Sequence, residues 1–495
     1  MSSGEHEEEK PTVEEKKDYG SVEVTESEGK SDKSTIETEL SLEELLQGMG
    51  VGRAQYAVWF LLACLALSHN TTYFLVTILI PYLRCEWELD TTLETTIGSS
   101  AAFCFFLGGV FLSFLADEYG RKKVLLATCA VLILSSVLSA TAPNGYVFLF
   151  ARILQGLSNG AGKHVCFVFA AEIVSSQNKD AAVFVISLAC QFGGVFLSSM
   201  CYIFLNMIGW RYLIFILMIP LVVSMIGLTQ VPESSRYLLV SGRKEDALNC
   251  LKKLYSWNSA TFPKKCTDIK TVATAGNVKG GKLKMTELFR HGYAKTTCIL
   301  TIMYFANYHI CMVFAAYIPL KNESMASRLR KECDYSLDQD ALIEDMMSFV
   351  GDILGTFTCA LAGRVLGRRL VLRGYAALTL LSSSSVYFGI GQILRDILAM
   401  MLRCSATGFR YTTWLVALEM YPTVLRSTAS GFATSCGQMG GGLGSLLAYC
   451  MYPISPVIVV SLIVGFAGIQ LIVAFIWNKE SKDNLLADNM EQPQK

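Results

Sequence analysis

Twelve apolar stretches follow one another along the chain, and each is long enough to cross a bilayer as a helix. They are predicted at residues 56–82, 95–116, 124–142, 146–170, 183–205, 212–231, 297–319, 341–362, 370–391, 397–418, 428–450 and 455–477. One long polar interruption, residues 232–295, separates the first six stretches from the last six. The pattern predicts an all-α membrane protein with twelve transmembrane helices.

The composition agrees with a membrane protein, because 52% of the 495 residues are hydrophobic and only 17% are charged. A soluble protein of this size needs more polar residues to cover its surface. The first 45 residues carry fifteen acidic residues against five lysines, so this segment is expected to be disordered. The predicted organisation is a disordered acidic tail (1–50), a first six-helix bundle (51–231), a basic central loop (232–295), a second six-helix bundle (296–478) and a C-terminal tail (479–495).

Basic residues concentrate on one side of the predicted spans, which places that side and both termini in the cytosol. The central loop alone has thirteen Lys or Arg residues against five Asp or Glu residues. On the opposite side, Asn322 begins a glycosylation acceptor sequence. Cys85 and Cys333 lie in predicted loops of that same side, where they can form a disulfide or remain free thiols.

Two similar turn motifs connect neighbouring spans in the two halves of the chain. The first follows span two and the second follows span eight, and their main residues are Asp117, Gly120, Arg121 and Lys122 in the first and Arg364, Gly367 and Arg368 in the second. The glycine allows a tight reversal, and the basic cluster stays on the cytosolic side. This repetition indicates a chain built as two related halves.

A second repetition lies at the inner ends of spans four and ten. The interval from Glu172 to Lys179 equals that from Glu419 to Arg426. In both places the acid can meet a basic residue at the membrane face, either as a gate contact between conformations or as simple helix capping.

The order of these motifs resembles the major facilitator superfamily of secondary transporters. Further matches are the spacing Arg152-xxx-Gly156-xxx-Gly160, the tripeptide Gly209-Trp210-Arg211, the segment PESSRYL at 232–238 and the segment EMYPT at 419–423. They resemble the branch that holds the organic cation and anion transporters and the synaptic vesicle two-related proteins. The resemblance implies two pseudo-symmetric bundles around a central cavity, lined largely by helices 1, 4, 7 and 10, with alternating access to the two sides.

Polar residues inside the spans outline a candidate substrate pathway, because each is costly in hydrocarbon and must face protein or water. Several share one face of span four, and a similar set shares one face of span ten. The candidate pathway residues are His69, Arg152, Asn159, Lys163, Tyr304, Asn307, Tyr308, Arg410, Trp414 and Gln438. The tyrosines can stack on an organic solute or can simply pack against neighbouring helices. His69 is either a proton-coupling group or a neutral ring that is hydrogen-bonded within its bundle.

Two acids of span eight are expected to pair with two arginines of span ten. Similar depths predict the pairs Asp345 with Arg403 and Asp352 with Arg410, either as structural salt bridges or as direct substrate contacts. Once these pairs cancel, the cations of span four leave the cavity net positive. A net positive cavity favours an anionic or zwitterionic solute.

The sequence therefore predicts a secondary active or facilitative transporter of a small organic solute, with proton or sodium coupling, in the plasma membrane or in a secretory or synaptic-type vesicle. The alternative is a non-transporting vesicle-membrane protein that uses a transporter scaffold for binding or trafficking. The chain has no phosphate loop and no Cys-xx-Cys or His-xx-His spacing. We therefore expect no enzymatic activity, cofactor, metal, nucleotide or nucleic acid.

Overall fold

A computed structural model of the protein describes residues 40–112, 114–263, 269–270, 288–289, 293–327, 339–384, 392–421 and 423–478. The side chains of Asp117, Asn322, Arg364 and Arg426 and the residue Cys333 lie outside this description.

Helices dominate the described residues. Those before the central loop are α1 (Leu42–Met49), α2 (Arg53–Trp87), α3 (Thr91–Leu107), α4 (Phe114–Tyr119), α5 (Arg121–Ala140), α6 (Gly145–Glu172), α7 (Lys179–Met200), α8 (Asn206–Leu217), α9 (Ile219–Gln230), α10 (Ser235–Val240) and α11 (Lys244–Trp257). Those after it are α12 (Ala294–Ser327), α13 (Gln339–Val365), α14 (Arg368–Ser384), α15 (Gln392–Met420), α16 (Thr423–Met451) and α17 (Pro456–Ile476). A two-residue parallel pairing joins β1 (Leu40–Ser41) to β2 (Ile269–Lys270).

The predicted all-α membrane fold with twelve spans is confirmed. Spans one to six correspond to α2, α3 with α4, α5, α6, α7, and α8 with α9, and spans seven to twelve correspond to α12 through α17. Several helices exceed their predicted spans, because an apolar window marks only the part that hydrocarbon requires. As a result α12 continues to Ser327, so Asn322 lies in a helix and not in the expected loop. Its glycosylation stays a prediction.

Seven helical segments among the described residues are long and apolar enough to cross a membrane by length and composition. The helices α6, α14, α15 and α16 are not among them. α6 and α15 carry intramembrane cations, and α16 contains a run of glycines between residues 437 and 444. Polar and small residues of this kind face other helices. The composition of these spans is therefore set more by contact with protein than by contact with lipid.

Glycines set the register of helix contacts in the same way in both bundles. A Cβ atom on Gly108, at the end of α3, would lie 2.2 Å from the backbone oxygen of Leu157 on α6. A Cβ atom on Gly355 of α13 would lie 2.2 Å from the backbone oxygen of Cys404 on α15. Both partners of the second contact follow those of the first by 247 residues. These matched close approaches support the two-fold relationship between the halves.

The end of the acidic tail is folded. The sequence predicts disorder for all of residues 1–50, and this expectation is wrong for Leu42–Met49, which forms α1. Ser41 and Glu44 complete a capping box at its start, and Leu45 and Leu46 are buried in a cluster with residues of α10 and α11. The apolar face of α1 explains the error, since acidic composition alone does not reveal a short amphipathic segment. We call the side of the molecule that carries α1, α10 and α11 the tail side, and the opposite side the distal side.

Glu43 fastens α1 to the first bundle. It accepts hydrogen bonds from the backbone N–H of Ser176 and from the guanidinium of Arg236, the latter at 2.8 Å. Burial raises the pKa of the Glu43 carboxyl, but the Ser176 and Arg236 contacts together outweigh burial, so the pKa lies below its ordinary value. The docked tail therefore favours the ionised carboxylate.

A small apolar cluster joins Met312 of the second bundle to Tyr73 and Phe105 of the first, and a much larger one joins the bundles on the distal side. It includes Leu79 and Leu197 of the first bundle together with Val313, Tyr449 and Ile463 of the second. Toward the tail side, two other clusters are confined to one bundle each. Apolar packing between the bundles is therefore concentrated at the distal side, which is closed in this structure.

Replacing Gly355 with Ala should destabilise the protein by about 1 to 3 kcal/mol, because the added methyl group meets a backbone oxygen that cannot move independently. The melting temperature of the purified protein in detergent measures the loss. Gly374→Ala is the matched control, since no atom lies within 4 Å of a Cβ atom there. If Gly374→Ala lowers the melting temperature as much as Gly355→Ala does, the close contact of Gly355 with the neighbouring backbone is not the cause of the loss.

Glu43→Gln should loosen α1, with amide hydrogen exchange of residues 42–49 about fivefold faster at pH 7, as expected for a loss of about 1 kcal/mol. In the unmodified protein, protection should be full above the ordinary glutamate pKa of about 4.3 and should fall as the pH drops through the lower folded-state pKa. Glu245→Gln, which removes an exposed acid of α11, should leave exchange unchanged. Equal exchange in both variants would show that Glu43 does not hold the tail.

Candidate functional site

A cavity of about 120 Å³ lies between the two bundles. Its walls come from α2, α3, α6 and α7 of the first bundle and from α12, α13, α15 and α16 of the second. Seven of the ten predicted pathway residues line it: His69, Lys163, Tyr304, Tyr308, Arg410, Trp414 and Gln438. The other three, Arg152, Asn159 and Asn307, are buried in contacts between helices.

Arg152 holds span four to span one. Its guanidinium donates to the backbone oxygen of Thr72 at 2.8 Å and of Tyr73 at 3.3 Å, and to the side chain of Gln155 at 2.9 Å. Only 2% of its surface is exposed. Backbone oxygens at these distances give it a positioning role in the helix pair, and it does not add to the charge of the cavity wall.

His69 is tied to Asn159 and also faces the cavity. Its Nδ1 lies 2.6 Å from the Asn159 amide oxygen, while the Asn159 amide nitrogen lies 3.5 Å from the Thr72 hydroxyl. Because an amide oxygen only accepts, Nδ1 carries the proton in this contact. The other ring nitrogen, Nε2, has no partner among the described residues. His69 can therefore offer Nε2 to a solute or to a proton.

Lys163 and Arg410 occupy equivalent positions in the two halves. They are 247 residues apart, which is also the separation of the matched glycine contacts described above. The same offset relates Gln191 to Gln438, and both of these line the cavity.

The buried ion pair joins Arg403 to Asp352 at 2.6 Å. The predicted pairs, Asp345 with Arg403 and Asp352 with Arg410, are therefore wrong. Gly351 and Gly355 pack against the backbone oxygens of Met400 and Cys404, and this fixes α13 two helical turns away from the assumed register. Such glycine contacts are invisible when depth is judged from sequence distance alone.

Arg410 is held by other groups. It donates to the Thr407 hydroxyl at 3.0 Å, and its guanidinium carbon lies 5.3 Å from the centre of the Tyr308 ring. Thr407 in turn donates to Asp352. Arg410 is thus oriented by a hydroxyl and an aromatic face, while the carboxylate nearby is already neutralised by Arg403.

The cavity carries excess positive charge. Among its described lining residues, the cations are Lys163, Arg403 and Arg410, and Asp352 is the only carboxylate. Lys163 makes no ion pair within the described part of the chain. The sequence predicted a positive cavity from Arg152 and Lys163, whereas the structure assigns the excess to Lys163 and Arg410.

Sequence reasoning missed several wall residues. Tyr73 donates to Gln438 at 2.8 Å, and His164 lies 3.3 Å from Thr434, so both contacts connect the two bundles. Gln191 is also a wall residue. Its 247-residue relation to Gln438 was the one signal that could have found it.

The turn motifs form matched ion pairs at the tail side. Arg121 pairs with Glu172 at 3.3 Å and Arg368 pairs with Glu419 at 2.9 Å, and in each case the partners are 51 residues apart. Each arginine also donates to the backbone oxygen five residues before it. Each pair lies within one bundle, so it stabilises the bundle itself.

In the first turn motif, Gly120 and Lys122 each have a structural role. Gly120 has a φ of 109°, a conformation that favours glycine, and Glu233 accepts from the backbone N–H of Lys122 at 2.9 Å. The Lys122 ammonium donates to the backbone oxygen of Thr229 at 2.8 Å. The PESSRYL segment therefore fastens the first turn through Glu233.

Cys85, at the end of α2, is disulfide-bonded. Its predicted partner, Cys333, lies outside the described residues, so the pairing stays a prediction. Lys179 begins α7, and Gly367 directly precedes α14.

Two six-helix bundles around a polar central cavity define a solute transporter of the major facilitator type. The family model described as "Sugar (and other) transporter" matches residues 51–489, and the chain belongs to this family of membrane transporters, which are not enzymes.

Relatives and solved structures cover most of the chain. The Synaptic vesicle 2-related protein of Rattus norvegicus is 22% identical over 460 residues, covering 90% of this chain and 82% of the relative. The protein of that name in Xenopus laevis is 22% identical over 423 residues, covering 83% and 75%. The structure described as "Partially occluded inward open conformation of the xylose transporter XylE from E. coli" gives a TM-score of 0.64 at 16% identity, covering 86% of this chain and 98% of that one. At this identity the structural likeness concerns the fold.

Asp352→Asn should destabilise the protein by about 3 to 5 kcal/mol, because Arg403 would remain buried without its counter-charge. Thermal unfolding in detergent measures the loss. The double variant Asp352→Asn with Arg403→Gln should recover part of the stability, since neither charge remains. If Arg403→Gln lowers stability as much in the Asp352→Asn protein as it does in the unmodified protein, the two residues are not coupled.

Proposed function

We propose that the protein is a secondary active or facilitative transporter that moves a small organic anion or zwitterion by alternating access. The observation that carries this proposal is the pair Lys163 and Arg410, which present cations from equivalent positions of the two bundles. The cavity's described carboxylate, Asp352, is occupied by Arg403. A negatively charged solute group is the partner that this charge distribution favours.

The remaining wall suits the organic part of such a solute. The ring centres of Trp414 in the second bundle and Phe167 in the first lie 6.4 Å apart. The rings of Tyr308 and Tyr304 are stacked, and their centres also lie 6.4 Å apart. The hydroxyl of Tyr304 has no partner among the described residues. Aromatic faces with a few polar groups are typical of sites for small organic molecules.

The positions of the two cations, on different bundles, are compatible with alternating access. Lys163 belongs to the first bundle and Arg410 to the second, so an anion between them contacts both. Each bundle keeps its own tail-side ion pair while it moves, and the distal cluster closes one entrance. The similar xylose transporter structure is of a partially occluded inward open conformation. By analogy we assign the tail side to the cytosol, with both termini there, as the basic central loop also favours.

The location and the coupling ion are inferred from the relatives and from His69. The names of the relatives favour a vesicle membrane for this chain. His69 is the candidate for proton coupling, because it lines the cavity and its Nε2 has no hydrogen-bond partner in the part of the chain that the structure describes. Another similar solved structure is that of a D-xylose-proton symporter, which supports protons over sodium.

Lys163→Gln and Arg410→Gln should each weaken binding of a recognised organic anion about 10- to 100-fold, the cost of losing a charged hydrogen bond. Binding can be screened by the melting shift of purified protein with benzoate, succinate, lactate, glycine betaine, D-xylose and tetraethylammonium. The dissociation constant of the strongest ligand is then measured for each variant, and its uptake is measured in liposomes.

Lys123→Gln is the matched control, because it removes one exposed cation outside the cavity and should change neither binding nor uptake. A preference for tetraethylammonium, or unchanged affinity in both cavity variants, would contradict the proposal. Binding without uptake would favour the non-transporting alternative.

A further inference from the structure

Asp345 connects the two bundles at the closed distal side. It lies on α13 of the second bundle, and its Oδ2 accepts a hydrogen bond of 2.8 Å from the hydroxyl of Ser198 on α7 of the first bundle. Asp345 is 9% exposed and Ser198 is 1% exposed. The contact therefore exists only while α7 and α13 are packed together.

Asp345 has no cationic partner within the described residues. Arg403 of α15 attracts an ionised Asp345 electrostatically, but its guanidinium is paired with Asp352. The other titratable groups that face Asp345 are Glu344 and Asp352 on its own helix and the thiol of Cys201, which follows α7. All three oppose a negative charge on Asp345 when they are ionised.

Burial of this kind disfavours the carboxylate form. An ionised carboxylate has about four acceptor sites, and a single hydroxyl donor satisfies one of them. Without a counter-ion, the charge would lose the solvation of water and gain little in exchange. The neutral carboxylic acid keeps the contact with Ser198 at a much lower desolvation cost.

We propose that Asp345 is a proton-binding site whose protonation closes the distal side. In the distal-open state the carboxylate is hydrated and ionised at neutral pH, as an ordinary Asp is. As α7 and α13 close, the carboxylate takes one proton from the distal solution and becomes a carboxylic acid. On opening, water returns and the proton leaves to the same solution.

This assignment is separate from solute recognition. Asp345 is not a wall residue of the cavity, and Ser198 is not one either. The inference rests on the proposed alternating access, because it needs a distal-open state, but it does not depend on which solute is carried. Low pH on the distal side should hold the protein in the closed conformation seen here.

The linkage has a definite sign and size. Because the closed state binds one proton more than the open state, acid favours the closed state. Wherever the closed state holds this proton and the open state does not, the ratio of closed to open protein should rise up to about tenfold for each unit by which the pH falls.

The distance between spin labels on the two distal rims measures this ratio. Tyr146 lies in the first turn of α6 in the first bundle, and Ile454 follows α16 in the second. The two residues are 72% and 70% exposed. Tyr146→Cys and Ile454→Cys would carry the labels in the full-length protein, with protein lacking both added cysteines as the labelling control. The distribution of distances between the two spin labels is recorded between pH 5 and pH 8 without solute.

The short-distance population should grow as the pH falls in the otherwise unmodified protein. Asp345→Asn, which imitates the neutral acid, should remain in the short-distance population throughout. Glu344→Gln, which changes the adjacent acid, should keep the pH dependence. Distances that do not vary with pH in the unmodified protein would overturn the proposal even if Asp345→Asn failed to fold.

Two other results would also overturn it: pH dependence retained in Asp345→Asn, or lost in Glu344→Gln. The measurement does not use a solute, so failure of the anion proposal would leave its outcome interpretable. A solute that binds and is transported while the distal rim ignores pH would reject Asp345 as the proton site and leave the proposed function intact.

Discussion

A charge inside the bilayer must find its compensation within the protein, and this constraint explains where the polar groups of the spans lie. Arg403 meets Asp352, and Arg152 meets backbone oxygens. Both contacts position a helix. Lys163 has no such partner among the described residues and instead faces the cavity. Arg403 and Asp352 also line the cavity, but their charges are already compensated, so Lys163 is the more available of these charges for a solute.

The two halves repeat their scaffold and the cations Lys163 and Arg410, but they do not repeat the buried ion pair of Asp352 and Arg403. The ion pairs of Arg121 and Arg368 match one another, and so do the contacts of Gly108 and Gly355. With the same 247-residue offset, Arg403 corresponds to Gly156 and Asp352 corresponds to Phe105, so the equivalent positions of the first bundle cannot form this ion pair. Around the cavity, a symmetric frame thus carries an asymmetric set of contacts.

Sequence patterns could predict the spans, the paired turn motifs and seven of the residues that line the cavity, because apolar length, glycine turns and intramembrane polarity act locally. They could not predict that Asp352 pairs with Arg403, because the register of α13 against α15 depends on where Gly351 and Gly355 meet another backbone. They also could not separate Arg152 from Lys163. The two share a stripe, and only the packing of α2 places backbone oxygens beside the first and open space beside the second.

The position of the apolar cluster limits how the bundles can move. At the distal side, Leu197 and Tyr449 belong to one core that crosses between the bundles, and opening this side exposes apolar surface to water. The ion pair between Arg121 and Glu172 lies within its own bundle and does not have to break. Opening is therefore costly mainly at the distal interface. A solute that contacts Lys163 and Arg410 together can offset that cost only when its affinity differs between the two conformations.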